Sequence, residues 1–86
     1  MRAKRWTVQI FITEEGDDTR ARAVLTTHDT TALSGLGTAR RSPADPAVPE
    51  IGDELAAGRA LEALALRLRD AATEDLAWTT GPSPRR

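Results

Sequence analysis

The chain has 86 residues, with 12 basic and 13 acidic side chains and a formal net charge of −1. This length makes one domain, and the near-neutral charge argues against a strongly basic nucleic-acid binder. Cysteine is absent, which excludes a disulfide-stapled scaffold and a thiolate zinc site. The lack of cysteine also fits a reducing cytoplasm, where we expect the protein to reside. The apolar runs are too short to span a membrane.

The small size of the chain limits its core. A chain of this length buries only about 60–65% of the surface that its unfolded form exposes. Aromatic residues are scarce, and only Trp6, Phe11 and Trp78 are present. Pairing with a second copy is an ordinary remedy for a thin core, so we expect a homodimer.

Two alternating segments predict an antiparallel hairpin. Residues 5–13 form the first strand and residues 19–27 the second, and the turn lies in the EEGDD segment at residues 14–18. Phe11 falls on one face of the first strand. The residues on the other face, which we expect to be buried, are Trp6, Val8, Ile10 and Ile12.

Residues 32–40 are interpreted as a third strand after a turn at residues 28–31, with a loop as the alternative. Gly35 and Gly37 share one face of this strand. Glycine weakens a strand unless another group must approach closely. We therefore expect these glycines to make room either for Trp6 or for a helix lying across the sheet.

Three prolines, Pro43, Pro46 and Pro49, predict a stiff extended crossover after the third strand. A docking motif for a proline-reading domain is the alternative. From about residue 50 to about residue 72 the pattern is helical. The residues of the expected buried stripe are Ile51, Leu55, Leu61, Ala65, Leu68 and Ala72.

Gly58 stands in the middle of this helix at a cost of about 1 kcal/mol relative to alanine, and close packing on the sheet would explain it. Residues 73–78 continue the helix or form a short second one. We therefore predict an α+β fold, a three-stranded antiparallel meander packed by one long helix, in a single domain over residues 1–78. Residues 79–86 are expected to be a flexible tail.

The outer face of this sheet is half apolar. Phe11 and Val24 lie on it, and it is interpreted either as a partner surface or as the seat of Trp78 from the C-terminal segment. Phe11, Val24 and Trp78 are thus the candidate interface residues. An exposed Phe11 would mark the place for a second molecule.

Catalytic chemistry is not expected. The four carboxylates around Gly16 lack the spacing of a calcium-binding loop and are interpreted as a solvated hairpin tip. His28 is the lone imidazole, and Ser34 lacks the pattern of a nucleophile elbow. We expect a non-enzymatic protein with no catalytic residues, no cofactor and no metal site.

Arginines supply the remaining candidate contacts. Arg20, Arg22, Arg40 and Arg41 are predicted to share one side of the sheet, with Lys4 and Arg5 at the start of the first strand. Such a patch would contact phosphate. Scattered solvated charge is the favoured alternative because the whole chain is near neutral.

Four segments resemble a known family. They are WTVQIFI, TRARAVL, GLGTARRSPAD and, most specifically, VPEIGDELAAGRALEALA. They are similar to an actinobacterial family of small proteins of unknown function, which includes mycobacterial members associated with dormancy and low-oxygen stress. The resemblance implies a fold like that of double-stranded-RNA-binding domains and no established catalytic residues.

The half-apolar outer face and the small core support one function, and the resemblance together with the arginines supports another. A non-enzymatic regulatory or interaction protein, associated with stress or dormancy and acting as a homodimer with a protein partner, is the first hypothesis. A ribosome- or RNA-associated, hibernation-like factor that contacts phosphate through the sheet arginines is the second. True double-stranded-RNA-binding domains grip phosphates with lysines at the start of the final helix, where this chain has Glu50, Asp53 and Glu54. We therefore do not expect specific nucleic-acid binding of that kind.

Overall fold

The computed structural model describes residues 1–28 and 33–80, which form three strands followed by one helix. The strands are β1 (Thr7–Glu15), β2 (Asp18–Thr26) and β3 (Leu33–Arg40), and the helix is α1 (Pro49–Thr80). The predicted α+β fold, an antiparallel meander packed by one long helix, is confirmed. Most of the turn predicted at residues 28–31, and residues 81–86 of the predicted tail, lie outside the described residues.

The strands follow each other in the sheet in the order β1-β2-β3, with β2 in the centre. A two-residue turn joins β1 to β2, and Glu15 pairs with Asp18 at its base. Gly16 has a φ of +61°, a left-handed conformation that glycine adopts without steric cost. The register aligns Ile10 with Ala23, and Ala23 in turn with Gly35. Paired residues point to the same side of a sheet, so this row lies on one face.

The helix lies directly on the glycines of β3. A Cβ atom on Gly35 would stand 2.3 Å from the backbone nitrogen of Leu64, and one on Gly37 would stand 2.3 Å from the carbonyl oxygen of Ala56. These positions admit no side chain because the helix backbone occupies the space. Of the two expected occupants, the helix is therefore confirmed, and Trp6 is not the residue that covers the glycines.

The buried face of the helix differs from the predicted one. Its buried residues are Ala56, Ala60 and Leu64, whereas Ile51, Leu55 and Leu61 of the predicted stripe are exposed. Because the helix backbone approaches the glycines of β3 closely, the contact favours small side chains such as those of Ala56 and Ala60. The explanation offered for Gly58 is also wrong, because a Cβ atom there would meet nothing within 4 Å. Gly52 instead lies against the buried Thr19.

The prediction of a buried face on β1 is wrong. Trp6, Val8, Ile10 and Ile12 keep 51%, 41%, 38% and 43% of their surface exposed. The reason is the position of the helix, which packs on β2 and β3 and hardly touches β1. The core consists of four residues from the strands and three from the helix, namely Ala21, Ala23, Leu25, Ala39, Ala56, Ala60 and Leu64.

The helix extends well beyond the sheet. Its 32 residues make it about 48 Å long, whereas a nine-residue strand spans roughly 30 Å. The residues from Ala72 to Trp78 are all exposed. The segment predicted at residues 73–78 continues the same helix instead of forming a second one, and the helix includes Thr79 and Thr80 of the predicted tail.

Candidate interaction surfaces

The outer face is the side of the sheet opposite the helix. Its central row joins Phe11, Arg22 and Leu36 across the three strands. Phe11 is 50% exposed and Leu36 is 69% exposed. The guanidinium carbon of Arg22 lies 5.5 Å from the centre of the Phe11 ring, within the range of a cation–π contact.

Arg40 and Arg41 bind carboxylates of the hairpin tip, and their contact with phosphate stays a prediction. Arg40 Nη1 lies 3.0 Å from Asp18 Oδ1. Arg41 donates to Asp17 Oδ1 from Nε at 3.1 Å and from Nη2 at 2.9 Å. Its Nη1 also donates to the carbonyl oxygen of Asp45 at 2.9 Å. These contacts tie the hairpin tip to the end of β3 and to the crossover, so both arginines have a structural task.

Arg20 and Arg22 lie on the outer face of the central strand. Both side chains are exposed, and neither forms an ion pair with a carboxylate within residues 1–28 and 33–80. The neighbours of Arg20 across the sheet are Thr13 and Thr38. Of the four arginines predicted to form one patch, these two keep their charges available.

The three predicted interface residues do not form one surface. Phe11 is half-exposed and Val24 half-buried on the outer face. Trp78 belongs to the helix, which packs on the opposite face, and it is 81% exposed. Trp78 therefore does not cover Phe11, and within residues 1–28 and 33–80 the outer face stays open. Whether these residues contact a partner remains a prediction.

A second surface, which we call the trough, lies on the helix side between β1 and α1 and is not among the surfaces predicted from the sequence. Arg59 donates from Nη1 to the carbonyl oxygen of Thr38 at 2.7 Å, which fixes that side of the helix at the free edge of β3. Leu61 is two positions further and so lies about 200° around the helix, toward β1. The apolar residues that border the trough are Trp6, Val8, Ile10, Ile12, Leu61 and Leu68.

One sequence signal would have revealed the trough. Glycines at alternate positions of β3, together with Ala56 and Ala60 one helical turn apart, indicate a backbone-to-backbone contact. A helix placed there lies over β2 and β3 and leaves the large apolar residues of β1 uncovered.

A cavity of about 460 Å³ lies where the hairpin tip, the crossover and the first helical turns meet. Its apolar wall includes Pro46, Val48 and Ile51, and its polar rim includes Asp17 and Arg41. Arg41 and Asp17 hold each other, so neither is poised as an acid, a base or a nucleophile. Nothing in this cavity indicates enzymatic activity.

Two carboxyl groups meet beside this cavity. A hydrogen bond to Asp53 and the negative charge of Asp53 raise the pKa of Glu14 above its ordinary value. One oxygen of Asp53, Oδ1, is buried and has no hydrogen-bond partner within the described residues. The contact between β1 and the helix thus brings two carboxyl groups together.

His28, possible metal ligands and the apolarity of the helix bear on the remaining predictions. His28 is exposed after the end of β2, and its neighbour Asp29 lies outside the described residues. Within residues 1–28 and 33–80, no three histidine, cysteine, aspartate or glutamate side chains are grouped so that they could hold a metal ion. The helix described here is not apolar enough to cross a membrane.

The fold and its surfaces define a small α+β protein with two open faces, and comparisons with known proteins place it in a family. Residues 4–84 match the model of the Rv2632c-like family. The chain therefore belongs to the Rv2632c-like family. This agrees with the resemblance to a small family of unknown function with mycobacterial members.

Two similar proteins come from mycobacteria. An uncharacterized protein of Mycobacterium bovis, Mb1767, is 46% identical over 77 residues, which cover 90% of this chain and 81% of that protein. The uncharacterized protein Rv2632c of Mycobacterium tuberculosis is 40% identical over 73 residues, covering 85% and 77% of the two chains. The crystal structure of Rv2632c superposes with a TM-score of 0.86 at 36% identity, over 95% of this chain and 96% of that one.

Proposed function

We propose that this chain is a non-enzymatic interaction protein that works as a homodimer, joined through the trough. The observation that carries the proposal is the exposed apolar surface on the helix side of β1, where Val8, Ile10 and Ile12 keep 41%, 38% and 43% of their surface exposed. The helix leaves them uncovered because it packs on β2 and β3. A specific interface buries about 800 Å² from each partner, and the trough is where this chain leaves apolar side chains open to one.

The composition of the trough supports the same proposal. Val8, Ile10 and Ile12 form a continuous apolar stripe on the helix side of β1. A contiguous apolar surface of this kind is typical of a protein–protein contact. β1 is also an edge strand with an unpaired side, which a second strand can extend. A two-fold axis beside β1 would bring the trough residues of both copies to the same interface.

Sedimentation of two neighbouring variants tests the dimer. Ile10 and Phe11 are adjacent on β1 and point to opposite faces, so Ile10→Asp and Phe11→Asp introduce the same charge one position apart. We expect the wild-type chain and Phe11→Asp to sediment as dimers at micromolar concentration, and Ile10→Asp to sediment as a monomer. Far-UV circular dichroism of each variant controls for folding.

Two outcomes contradict this proposal. A wild-type chain that remains monomeric at about 100 µM forms no dimer of the affinity typical of specific complexes. Dissociation by Phe11→Asp but not by Ile10→Asp would place the dimer contact on the outer face, with Phe11 and Val24, instead of in the trough.

The setting of this interaction is proposed from the resemblance described above. Dormancy-associated members support a role in the stress response, and the absence of cysteine supports action in the cytoplasm. Affinity purification from stressed and unstressed cells tests this role, because a regulatory protein should retain a defined partner in one condition. The same partners at the same yield in both conditions would contradict it.

A second candidate function is that of a ribosome- or RNA-associated factor. The exposed Arg20 and Arg22, which have no carboxylate partner within the described residues, favour it. Co-sedimentation with ribosomes in a sucrose gradient at low salt is the test, since phosphate contacts weaken as salt rises. No co-sedimentation at low salt would end this candidate.

A further inference from the structure

We propose that the outer face of the sheet binds single-stranded nucleic acid, with a base stacked at the Phe11–Arg22 pair and phosphates held by Arg20 and Arg22. The proposal rests on the second candidate function and names its ligand class and its site.

The outer face of the sheet is open and has an exposed row of side chains across its middle. The helix covers the opposite side of the sheet, and Phe11, Arg22 and Leu36 form a row across all three strands. Phe11 and Leu36 are exposed to at least half of their surface. An open sheet face with an exposed aromatic ring in its middle row offers a base a stacking partner, as in proteins that bind single strands.

Two arginine side chains lie near the Phe11 ring. Arg22 lies above Phe11 at 5.5 Å, so a planar cation and a ring stand together, and both can stack on a base. Arg20 follows two residues earlier on the same face and is flanked by Thr13 and Thr38. Threonine hydroxyl groups and the guanidinium of Arg20 can donate hydrogen bonds to phosphate oxygens.

The carboxylates of the outer face lie away from its middle. Among the described residues of the outer face, they stand only in the last row of the sheet, at Glu15 and Asp18, and Asp18 is bound by Arg40. The middle of the face therefore carries positive charge and no negative charge. This distribution is complementary to a polyanion, although the chain as a whole is slightly acidic.

A duplex fits this surface poorly. Its bases are stacked and paired inside the helix, so a ring on a flat sheet cannot reach them. The helix start, which grips duplex phosphates in double-stranded-RNA-binding domains, is acidic here at Glu50, Asp53 and Glu54. The face therefore favours a single strand.

Fluorescence anisotropy with a labelled ten-nucleotide oligouridine at low salt tests the proposal, with a ten-base-pair RNA duplex and poly-glutamate as comparison ligands. We expect tighter binding of the single strand than of either comparison ligand. Phe11→Ala should weaken binding by about fivefold or more, and Phe11→Tyr should restore it, because a base stacks on either ring. Thermal melts of each variant control for folding.

Arg20→Gln and Arg40→Gln form a matched pair. Arg20 is free, whereas Arg40 is bound to Asp18, so only Arg20→Gln should lower the slope of log Kd against log salt, by about 0.7. Equal losses for the two variants would show that the chain attracts anions without using this site.

The result that overturns the proposal is equal binding by Phe11→Ala and wild type, or binding of poly-glutamate as tight as that of the single strand. Ribosome co-sedimentation separates this failure from that of the second candidate function. If an Arg20→Gln/Arg22→Gln variant still sediments with ribosomes, the association uses other residues, and this site is wrong while that function stands.

Discussion

The helix side of the sheet has two regions, β2 with β3 and β1, that are built in opposite ways. Under the helix, β2 and β3 present alanines and glycines that are almost completely buried, such as Ala23 and Gly37. Beside it, β1 presents isoleucine and valine to the same side of the sheet, and they remain about two-fifths exposed. On this side of the sheet, the large apolar residues of β1 are thus far less buried than the alanines and glycines under the helix.

This contrast shows what a close helix-to-sheet contact demands. When a helix backbone touches a strand backbone, the space between them admits only hydrogen atoms and methyl groups. Five of the seven core residues are accordingly alanines, and the other two are Leu25 and Leu64. A small-residue core buries little apolar area for each residue. Stability then depends on surfaces that a single chain leaves open, and this supports a second copy at the trough.

The largest expected effect comes from filling the contact between β3 and the helix. In Gly37→Ala the new Cβ atom would meet the backbone of Ala56 and Ala60 at 2.3 Å. The helix must lift, and we expect a loss of about 3 kcal/mol or more in the free energy of unfolding. Urea denaturation followed by circular dichroism measures this loss.

Gly58→Ala is the control for this change, because nothing lies within 4 Å of the added methyl group. We expect it to stabilise the helix by about 1 kcal/mol. Gly52→Ala should fall between the two, since its neighbour at 2.9 Å is the side chain of Thr19, which can move. A Gly37→Ala variant as stable as wild type would mean that the helix does not rest on β3.

A smaller effect separates β1 from β2. Leu25 is 4% exposed and Ile10 is 38% exposed. At low protein concentration, where a dimer dissociates, Leu25→Ala should cost about 2 kcal/mol more unfolding free energy than Ile10→Ala. Raising the protein concentration should increase the cost of Ile10→Ala and leave that of Leu25→Ala unchanged. Equal costs at every concentration would contradict both the open trough and its occupation by a second copy.

Local patterns were enough to predict the elements and their order. Alternation marked the strands, and Gly16 among four carboxylates marked the hairpin turn. Helical spacing predicts Leu55 and Leu61 on the buried face of the helix. This prediction is wrong, because the helix lies against the glycines of β3 with Ala56 and Ala60. The carboxylate partners of Arg40 and Arg41 could not be predicted either, since they depend on how the hairpin tip meets the crossover in space.

The smallest expected effect concerns the carboxyl groups of Glu14 in β1 and Asp53 in the helix, which lie close together. Because the pKa of Glu14 is raised in the folded state, the folded protein binds a proton more tightly than the unfolded chain does. The resulting stability is complete below the ordinary pKa of glutamate and is lost as pH rises through the raised value. Above that pH, Glu14 and Asp53 repel each other only in the folded state. Glu14→Gln should therefore raise the Tm slightly at pH 7 but not at pH 4.

Asp53→Asn should flatten the same pH dependence, because it removes the other charge of the pair. Glu62→Gln, at an exposed position of the helix, is the matched control and should leave the difference in Tm between pH 4 and pH 7 as it is in wild type. If neither Glu14→Gln nor Asp53→Asn changes that difference, the two carboxyls do not interact. β1 would then stand apart from the helix for lack of contact alone, without the added repulsion of like charges.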